Sequence, residues 1–317
     1  MTTTSLAPNL NTVSLVQSMN LWTAAQDTYA KRVVVKNIKN ATWQKKSAYI
    51  GKYIVRGMLA YRQLQSLYDQ FSFGERQMLL EKQPEFFLKC MRPYLRDGLS
   101  KQQTVDVILQ HYGWFESTFS HSVRRAVYQD GFVLKSIPLE ASTLQLRLIH
   151  DSKFHREGEL TLVLCDEQGT KYYMVTFIVV GNKAYIGGLQ GGRDMQDFSR
   201  MFTKGLYGQR PKSFVVEALR MVLELLGIKQ LFAVKNDAHA YSSKRYRKKP
   251  VMMDYDALWA ELGGTEHNRW YYELPVVAER RQLEEIKRPK RKMYRERYEW
   301  LDQCRDDLAS QLLQAAR

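Results

Sequence analysis

The chain has 317 residues, of which 44% are hydrophobic and 26% charged, enough for one large domain or two ordinary ones with a substantial core. No stretch is long and apolar enough to span a bilayer, and the first ten residues lack the charged start and apolar segment of a secretion signal, so a cytoplasmic protein is expected. A net charge of +15 and a pI near 9.6 favour polyanionic partners such as nucleic acid, anionic lipid, acidic carrier proteins or phosphorylated cofactors, without choosing among them. Cys90, Cys165 and Cys304 are odd in number and far apart, which points away from a disulfide framework or a zinc site; no metal is expected, and Cys165 reads as a core strand residue.

Residues 1 to about 30 begin Thr- and Asn-rich, and their first part is read as loose. From Thr42, apolar residues recur at helical spacing through Tyr49, Ile50, Tyr53, Ile54, Met58, Tyr61, Leu64 and Tyr68, which predicts an amphipathic helix with Lys45, Lys46, Lys52, Arg56 and Arg62 among its polar positions. A basic amphipathic helix can lie on a membrane, although a surface helix with a solvated face is the default. Several short helices are expected over 75–130, one opened by a capping box of Ser100 and Gln103. The aromatic residues there, including Phe86, Phe87, Tyr94, Phe115 and Phe119, sit at helical spacing and read as core rather than as a base-stacking platform.

Strands follow at 131–137 and 143–149, the second alternating Leu144, Leu146 and Leu148 against Gln145 and Arg147. His150, His155, Glu157 and Glu159 read as a solvated turn. Strands at 159–165, 172–180 and 183–189, separated by Gly169 and by Gly181-Asn182, form an antiparallel meander that ends in Gly187-Gly188-Leu189-Gln190-Gly191-Gly192. A polar loop precedes a long helix at 213–226, stopped by Gly227. A strand at 230–234, a basic loop, a short helix at 255–262 and a last strand at 269–274 complete the sheet. The tail is helical with a break at Pro289. The fold class is α+β: a helical region (1–134) packing on the sheet, a mixed sheet domain (135–276) and a basic helical tail (277–317).

The strongest anion-binding candidate lies before the long helix. Pro211 stands where a first helical turn begins, a place at which its missing N–H costs nothing. The free amides of that turn, with Lys204, Gly205, Gly208, Gln209, Arg210 and Lys212, make a cradle suited to phosphate; the alternative is a tight turn open to water.

The order meander, glycine-containing loop, long helix, strand ending in Asn236, short helix with Tyr255 and Gly263-Gly264, final strand resembles the acyl-CoA-dependent N-acyltransferase (GNAT) superfamily. That resemblance implies a GNAT-like mixed sheet, with the loop Lys204-Gly205-Leu206-Tyr207-Gly208-Gln209-Arg210 and Asn236 at the cofactor. Its spacing departs from the superfamily pattern, with Lys204 one place early and Arg210 where a small residue stands. The phrases Ile186-Gly187-Gly188-Leu189-Gln190-Gly191, Gly208-Gln209-Arg210-Pro211-Lys212, Asn236-Asp237-Ala238-His239-Ala240-Tyr241 and Lys290-Arg291-Lys292-Met293-Tyr294 resemble the VirK/YbjX family of Gram-negative bacteria. That likeness implies a link to virulence, antimicrobial-peptide resistance and envelope or lipid A remodelling, and a place in the cytoplasm or at the inner face of the inner membrane.

The implied activity is acyl transfer from acyl-CoA or acyl carrier protein. A base must take a proton from the attacking amine or hydroxyl, and an acid must protonate the departing thiolate; His239 suits the first role and Tyr241 or Tyr255 the second, against a reading of His239 as a capping or core residue. The loop of Lys244, Arg245, Arg247, Lys248 and Lys249, with Tyr246 interleaved and little acid nearby, suits contact with phosphates of RNA or lipid A. The competing expectation is therefore a non-catalytic, regulatory binder of an anionic membrane or, less favoured, of nucleic acid.

Overall fold

In the computed structural model, which describes residues 18–140, 142–192, 195–246 and 253–316, helix α1 (Leu21–Val35) is opened by Asn20, whose side-chain oxygen accepts from the amides of Trp22 and Thr23. The long amphipathic pattern expected from Thr42 is two helices, not one. Thr42 caps α2 (Trp43–Met58), and Ala60, at φ −142°, breaks the path before α3 (Tyr61–Phe71). The break lets Leu64, Leu67 and Phe71 turn into the main core while Ile50 and Tyr53 of α2 join a smaller cluster with Ala25 and Leu88. Helices α4 (Gln77–Lys82), α5 (Lys101–Thr118) and α6 (His121–Tyr128) follow, and α5 carries the Ser100–Gln103 capping box. Phe86, Phe115 and Phe119 are buried, as their spacing implied.

Strands β1 (Phe132–Pro138), β2 (Thr143–Ile149), β3 (Leu160–Asp166), β4 (Lys171–Val180) and β5 (Lys183–Gly191) form the antiparallel meander. Helix α7 (Gln196–Gly205) occupies what the sequence suggested was a polar loop. Its Phe198 and Phe202 are buried, and Phe198 stacks on Tyr172 with ring centroids 3.8 Å apart. Helix α8 (Pro211–Leu225) starts at Pro211 and ends before Gly227, which adopts φ +77°. Then β6 (Gln230–Val234) lies parallel to β5, followed by α9 (Tyr255–Glu261), β7 (Thr265–Glu266), β8 (Tyr271–Leu274) and α10 (Arg291–Ala315). Among the described residues the strands make one eight-stranded sheet in the order β1-β2-β3-β4-β5-β6-β8-β7. One parallel pair inside an otherwise antiparallel sheet, bridged by α7 and α8, is the GNAT-like arrangement that the sequence order implied.

Every residue of β3 and six consecutive residues of β4 are buried, as strands covered on both faces must be. Helix α8 packs on β3 and β4, α5 packs on β4, and α10 packs on α8 and β1. The basic tail is thus anchored through Leu301, Cys304, Leu308 and Leu312, at helical spacing.

A buried ion pair joins the helical region to the sheet. Lys89 Nζ donates to both carboxylate oxygens of Glu159 at 2.5 and 2.7 Å, and the hydroxyls of Tyr94 and Tyr112 add bonds of 2.6 and 2.8 Å. His150 bridges Gln83 and the Glu159 carbonyl. The turn expected to be solvated is therefore interior, because a lysine and two tyrosines from outside the sheet reach in to satisfy its carboxylate. Burial alone would raise the Glu159 carboxyl; Lys89, His150 and Tyr94 more than offset it and keep the group ionised below the usual carboxylate range.

Removing one partner of such a pair leaves an uncompensated buried charge. Lys89→Met is expected to lower unfolding stability by about 3–5 kcal/mol in urea titrations, with Lys89→Met/Glu159→Leu losing less than the two single variants combined.

Candidate functional site

The site lies where β5 and β6 part. Their pairing runs from Lys183 opposite Gln230 to Ile186 opposite Ala233 and stops there. On the other side of β5, the β4 register shifts between Thr176 and Phe177, so Gly187 has no residue opposite it. Glu157 lies against this interruption. A Cβ on Gly187 would collide with the Glu157 carbonyl oxygen, and one on Gly188 with its carboxylate. Gly158 is equally constrained: a Cβ there would stand 2.6 Å from the Phe177 carbonyl oxygen. Glycine at these places is what lets a carboxylate sit under the strand.

Glu157 is 1% exposed. Oε1 accepts from Gln190 Nε2 at 2.8 Å, and Oε2 has no hydrogen-bond partner among the described residues. Burial pushes its carboxyl up to about 8, with the Gln190 amide pulling the other way. His239 Nε2 faces Oε1 at 3.7 Å, beyond hydrogen-bond range. Burial lowers the imidazole to about 4, so at neutral pH both groups are mainly uncharged rather than an ion pair. Nδ1 of His239 accepts from the Tyr241 amide at 3.3 Å, which leaves the ring hydrogen on Nε2, near the Gly187 backbone.

The three residues chosen from sequence for proton transfer do come together. The His239 ring stacks on Tyr255 at 5.2 Å and on Tyr241 at 5.6 Å. Tyr255, pushed up by burial, donates to the Leu189 carbonyl and accepts from the Leu189 amide, each at 3.1 Å, on the β5 segment that β6 has left. Asn236 builds this corner: its Oδ1 accepts from the Tyr255 amide and its Nδ2 donates to Asp254. A segment of the helical region crosses the same place. Leu95, buried and at φ +59°, donates to the Arg156 carbonyl, the Asp97 amide donates to Ala238, and Arg96 bridges to His239.

Near the far end of β5 a cavity of about 950 Å³ opens before α8. Arg200, Lys204, Arg210 and Lys212 line it together with Tyr173 and Gly208. Tyr173 pairs with Gly191, two residues beyond Leu189, so about 7 Å of strand separates the cavity wall from the Tyr255 contact. Arg210 also reaches Glu261 at 3.2 Å. The loop amides themselves turn inward: Gly208 donates to Thr203 and Gln209 to Leu206. Arg297 of α10 donates twice to the Tyr207 carbonyl and lies 2.8 Å from where a Gly208 Cβ would stand. Gly205 ends α7 against Leu139 and is not among the cavity's lining residues. Of the basic loop, Lys244 and Arg245 are exposed; Arg247, Lys248 and Lys249 lie outside the described residues.

Glu157 is the residue that sequence reasoning missed. Its signal was present: Glu157-Gly158-Glu159 directly precedes an apolar strand, and Gly187-Gly188 interrupts another.

The family model described as "Protein of unknown function (DUF535)" matches residues 42–310. The chain is 29% identical over 283 residues to the uncharacterized protein YbjX of Escherichia coli (strain K12), covering 84% of each. It is 28% identical to an uncharacterized protein of Haemophilus influenzae, covering 66% of this chain and 71% of that one. Among solved structures, a cAMP-binding acyltransferase from Mycobacterium smegmatis aligns at 14% identity and TM-score 0.32, covering 68% of this chain and 65% of that one. A mutant of that acyltransferase aligns at 13% identity and TM-score 0.30, with 66% and 59% covered.

A carboxyl ionising near 4.5 when unfolded and near 8 when folded binds more protons in the folded state between those values, so its contribution to stability falls as pH rises through that window. The lowered histidines act in the opposite sense, and below pH 6.5, which leaves the range above it for Glu157. From pH 6.5 to 8, denaturant unfolding should show the wild type losing on the order of 1–2 kcal/mol relative to Glu157→Gln.

Proposed function

Because the chain belongs to the family described as "Protein of unknown function (DUF535)", we propose its activity from the site rather than from its relatives: transfer of an acyl group from a phosphopantetheine thioester, acyl-CoA or acyl carrier protein, to an amine or hydroxyl. The observation that carries this reading is the basic cavity beside the Gly191 end of β5, the same segment that β6 leaves after Ile186 and beneath which a buried carboxyl lies. Arg200, Lys204, Arg210 and Lys212 supply the charge that donor phosphates require. Past Ile186 β5 is no longer paired with β6, and the Leu189 amide and carbonyl there are held by the Tyr255 hydroxyl, which the amides of a pantetheine arm would replace.

We assign the proton transfer to Glu157, with His239 as a positioning residue. As the acceptor's nitrogen or oxygen bonds to the thioester carbonyl carbon, its proton passes to the ionised fraction of Glu157. When the carbon–sulfur bond breaks, the same proton leaves with the thiolate as a thiol, and the carboxylate is restored. A group with a pKa near 8 suits both halves at neutral pH. His239 Nε2 stands 3.7 Å from the carboxylate with its hydrogen near the Gly187 backbone, and Tyr255 holds the opening through Leu189. The acceptor proposed from the family likeness is an envelope component such as lipid A, which would connect the activity to antimicrobial-peptide resistance and virulence.

A second reading has its own support. The Gly208 and Gln209 amides are engaged within the loop, and Arg297 and Met293 crowd Gly208, which favours a non-catalytic protein whose exposed Lys244 and Arg245 help to bind RNA or anionic lipid.

Melting temperatures with coenzyme A, palmitoyl-CoA, acyl carrier protein and a short RNA, each at low and moderate salt, separate the two. A salt-tolerant rise with an acyl donor, lost in Arg210→Ala, is expected. Thiol release with an amine acceptor should climb with pH to a plateau above about 8 and fall at least about a hundredfold in Glu157→Gln. A salt-sensitive rise with RNA alone would overturn the transferase reading.

A further inference from the structure

The α1–α2 hairpin carries an apolar surface that the folded chain leaves open. In α2, Trp43, Ser47, Gly51 and Val55 recur at steps of four, followed by Met58 and the capping residue Leu59; all are exposed. At 100° per residue these positions share one side of the helix, while the buried Ile50, Tyr53 and Gly57 lie on the other. No charged side chain falls on the exposed stripe. Trp43 is 73% exposed, Leu59 70%, Met58 61% and Val55 55%.

Helix α1 adds exposed apolar side chains of its own near both of its ends. Val34 and Val35, both exposed, end it a short turn before Trp43, and the exposed Trp22 stands near its start, while Leu21 packs against Gly57 on the buried side of α2. Bulky apolar residues scattered singly over a surface need no explanation; a run of them along one hairpin does.

The charge around this stripe selects its occupant. Residues 18–62 contain nine Lys or Arg and a single Asp. Lys39, Lys45, Lys46 and Lys52 are exposed, with Lys45, Lys52 and Arg56 bordering one side of the stripe. Tryptophan, methionine and branched aliphatics on a helix face with lysines along its margin are matched by a lipid surface that offers acyl chains beneath anionic head groups. Among the described residues no helix is long and apolar enough to cross a membrane, so the fit is to lying on the surface.

We propose that the α1–α2 hairpin docks the protein on anionic lipid bilayers, α2 lying in the head-group plane with Trp43, Val55, Met58 and Leu59 inserted and the bordering lysines on lipid phosphates. Arg245 and Tyr246 of the basic loop stand within electrostatic reach of Arg56 at the edge of this surface, whereas the β5–β6 opening takes no part. The assignment does not depend on the chemistry of that opening.

The test is flotation of the full chain with vesicles of phosphatidylcholine alone or mixed with phosphatidylglycerol. Wild type is expected to float with the mixed vesicles. Trp43→Ser/Val55→Ser/Leu59→Ser should partition at least about tenfold less with an unchanged melting temperature, because the altered side chains are already in water. Lys45→Gln/Lys52→Gln/Arg56→Gln should lose the preference for anionic vesicles. Undiminished flotation of the serine variant would overturn the proposal, as would no flotation of wild type. So would a wild-type dimer in solution that the serine variant splits, since the stripe would then cover a second copy.

Discussion

The Lys89–Glu159 pair fixes how the two halves of this protein meet. Its lysine comes from a short helical turn outside the sheet, its carboxylate from the residue that leads into β3, and two tyrosine hydroxyls complete the carboxylate's hydrogen bonding. An ion pair with no exposure contributes little net stability over apolar residues of the same shape, since desolvation offsets most of the attraction. What it enforces is registry: a displaced helical region would leave a bare carboxylate or ammonium in the core, and that alternative is costly. The hydrophobic contacts above and below it are permissive by comparison.

That registry is felt two residues earlier. With Glu159 held, Gly158 passes close against Phe177 and Glu157 is delivered beneath Gly187 and Gly188. The chain between Tyr94 and Asp97, rooted by Tyr94 in the same pair, threads between Arg156 and Ala238 with Leu95 in a left-handed conformation. A buried leucine at positive φ is strained, and such strain persists where the surroundings leave no choice. One salt bridge thus sets both the floor and one wall of the opening between β5 and β6. Glu157 itself lacks a cation, so burial governs it and raises its carboxyl, whereas Glu159, equally buried but paired, goes the opposite way.

Much of this was legible in the chain because it is encoded locally. The 143–149 and 230–234 strands, the Ser100–Gln103 box, and the stop at Gly227 coincide with the observed elements, each depending on alternation, a cap or a turn within a few residues. That the sheet is mixed followed from the order of elements, while the identity of the parallel pair, β5 with β6, came from the structure. The meeting of His239, Tyr241 and Tyr255 was anticipated as chemistry without its geometry. What was hidden depends on contacts distant in sequence. Lys89 and Glu159 are seventy positions apart, so the acidic turn read as solvated. The break at Ala60 and helix α7 arise from what Leu64 and Phe198 pack against, and periodicity carries no trace of a packing partner.

The central claim is that Glu157, placed by its neighbour's ion pair, is a neutral carboxyl able to exchange a proton near physiological pH. Infrared difference spectra of wild type against Glu157→Gln, recorded across pH, test it directly through the protonated carbonyl stretch. A band present at pH 7 and titrating away near 8 is the predicted result. Its absence at pH 7, with the carboxylate already ionised in the ordinary range for glutamate, would contradict the account.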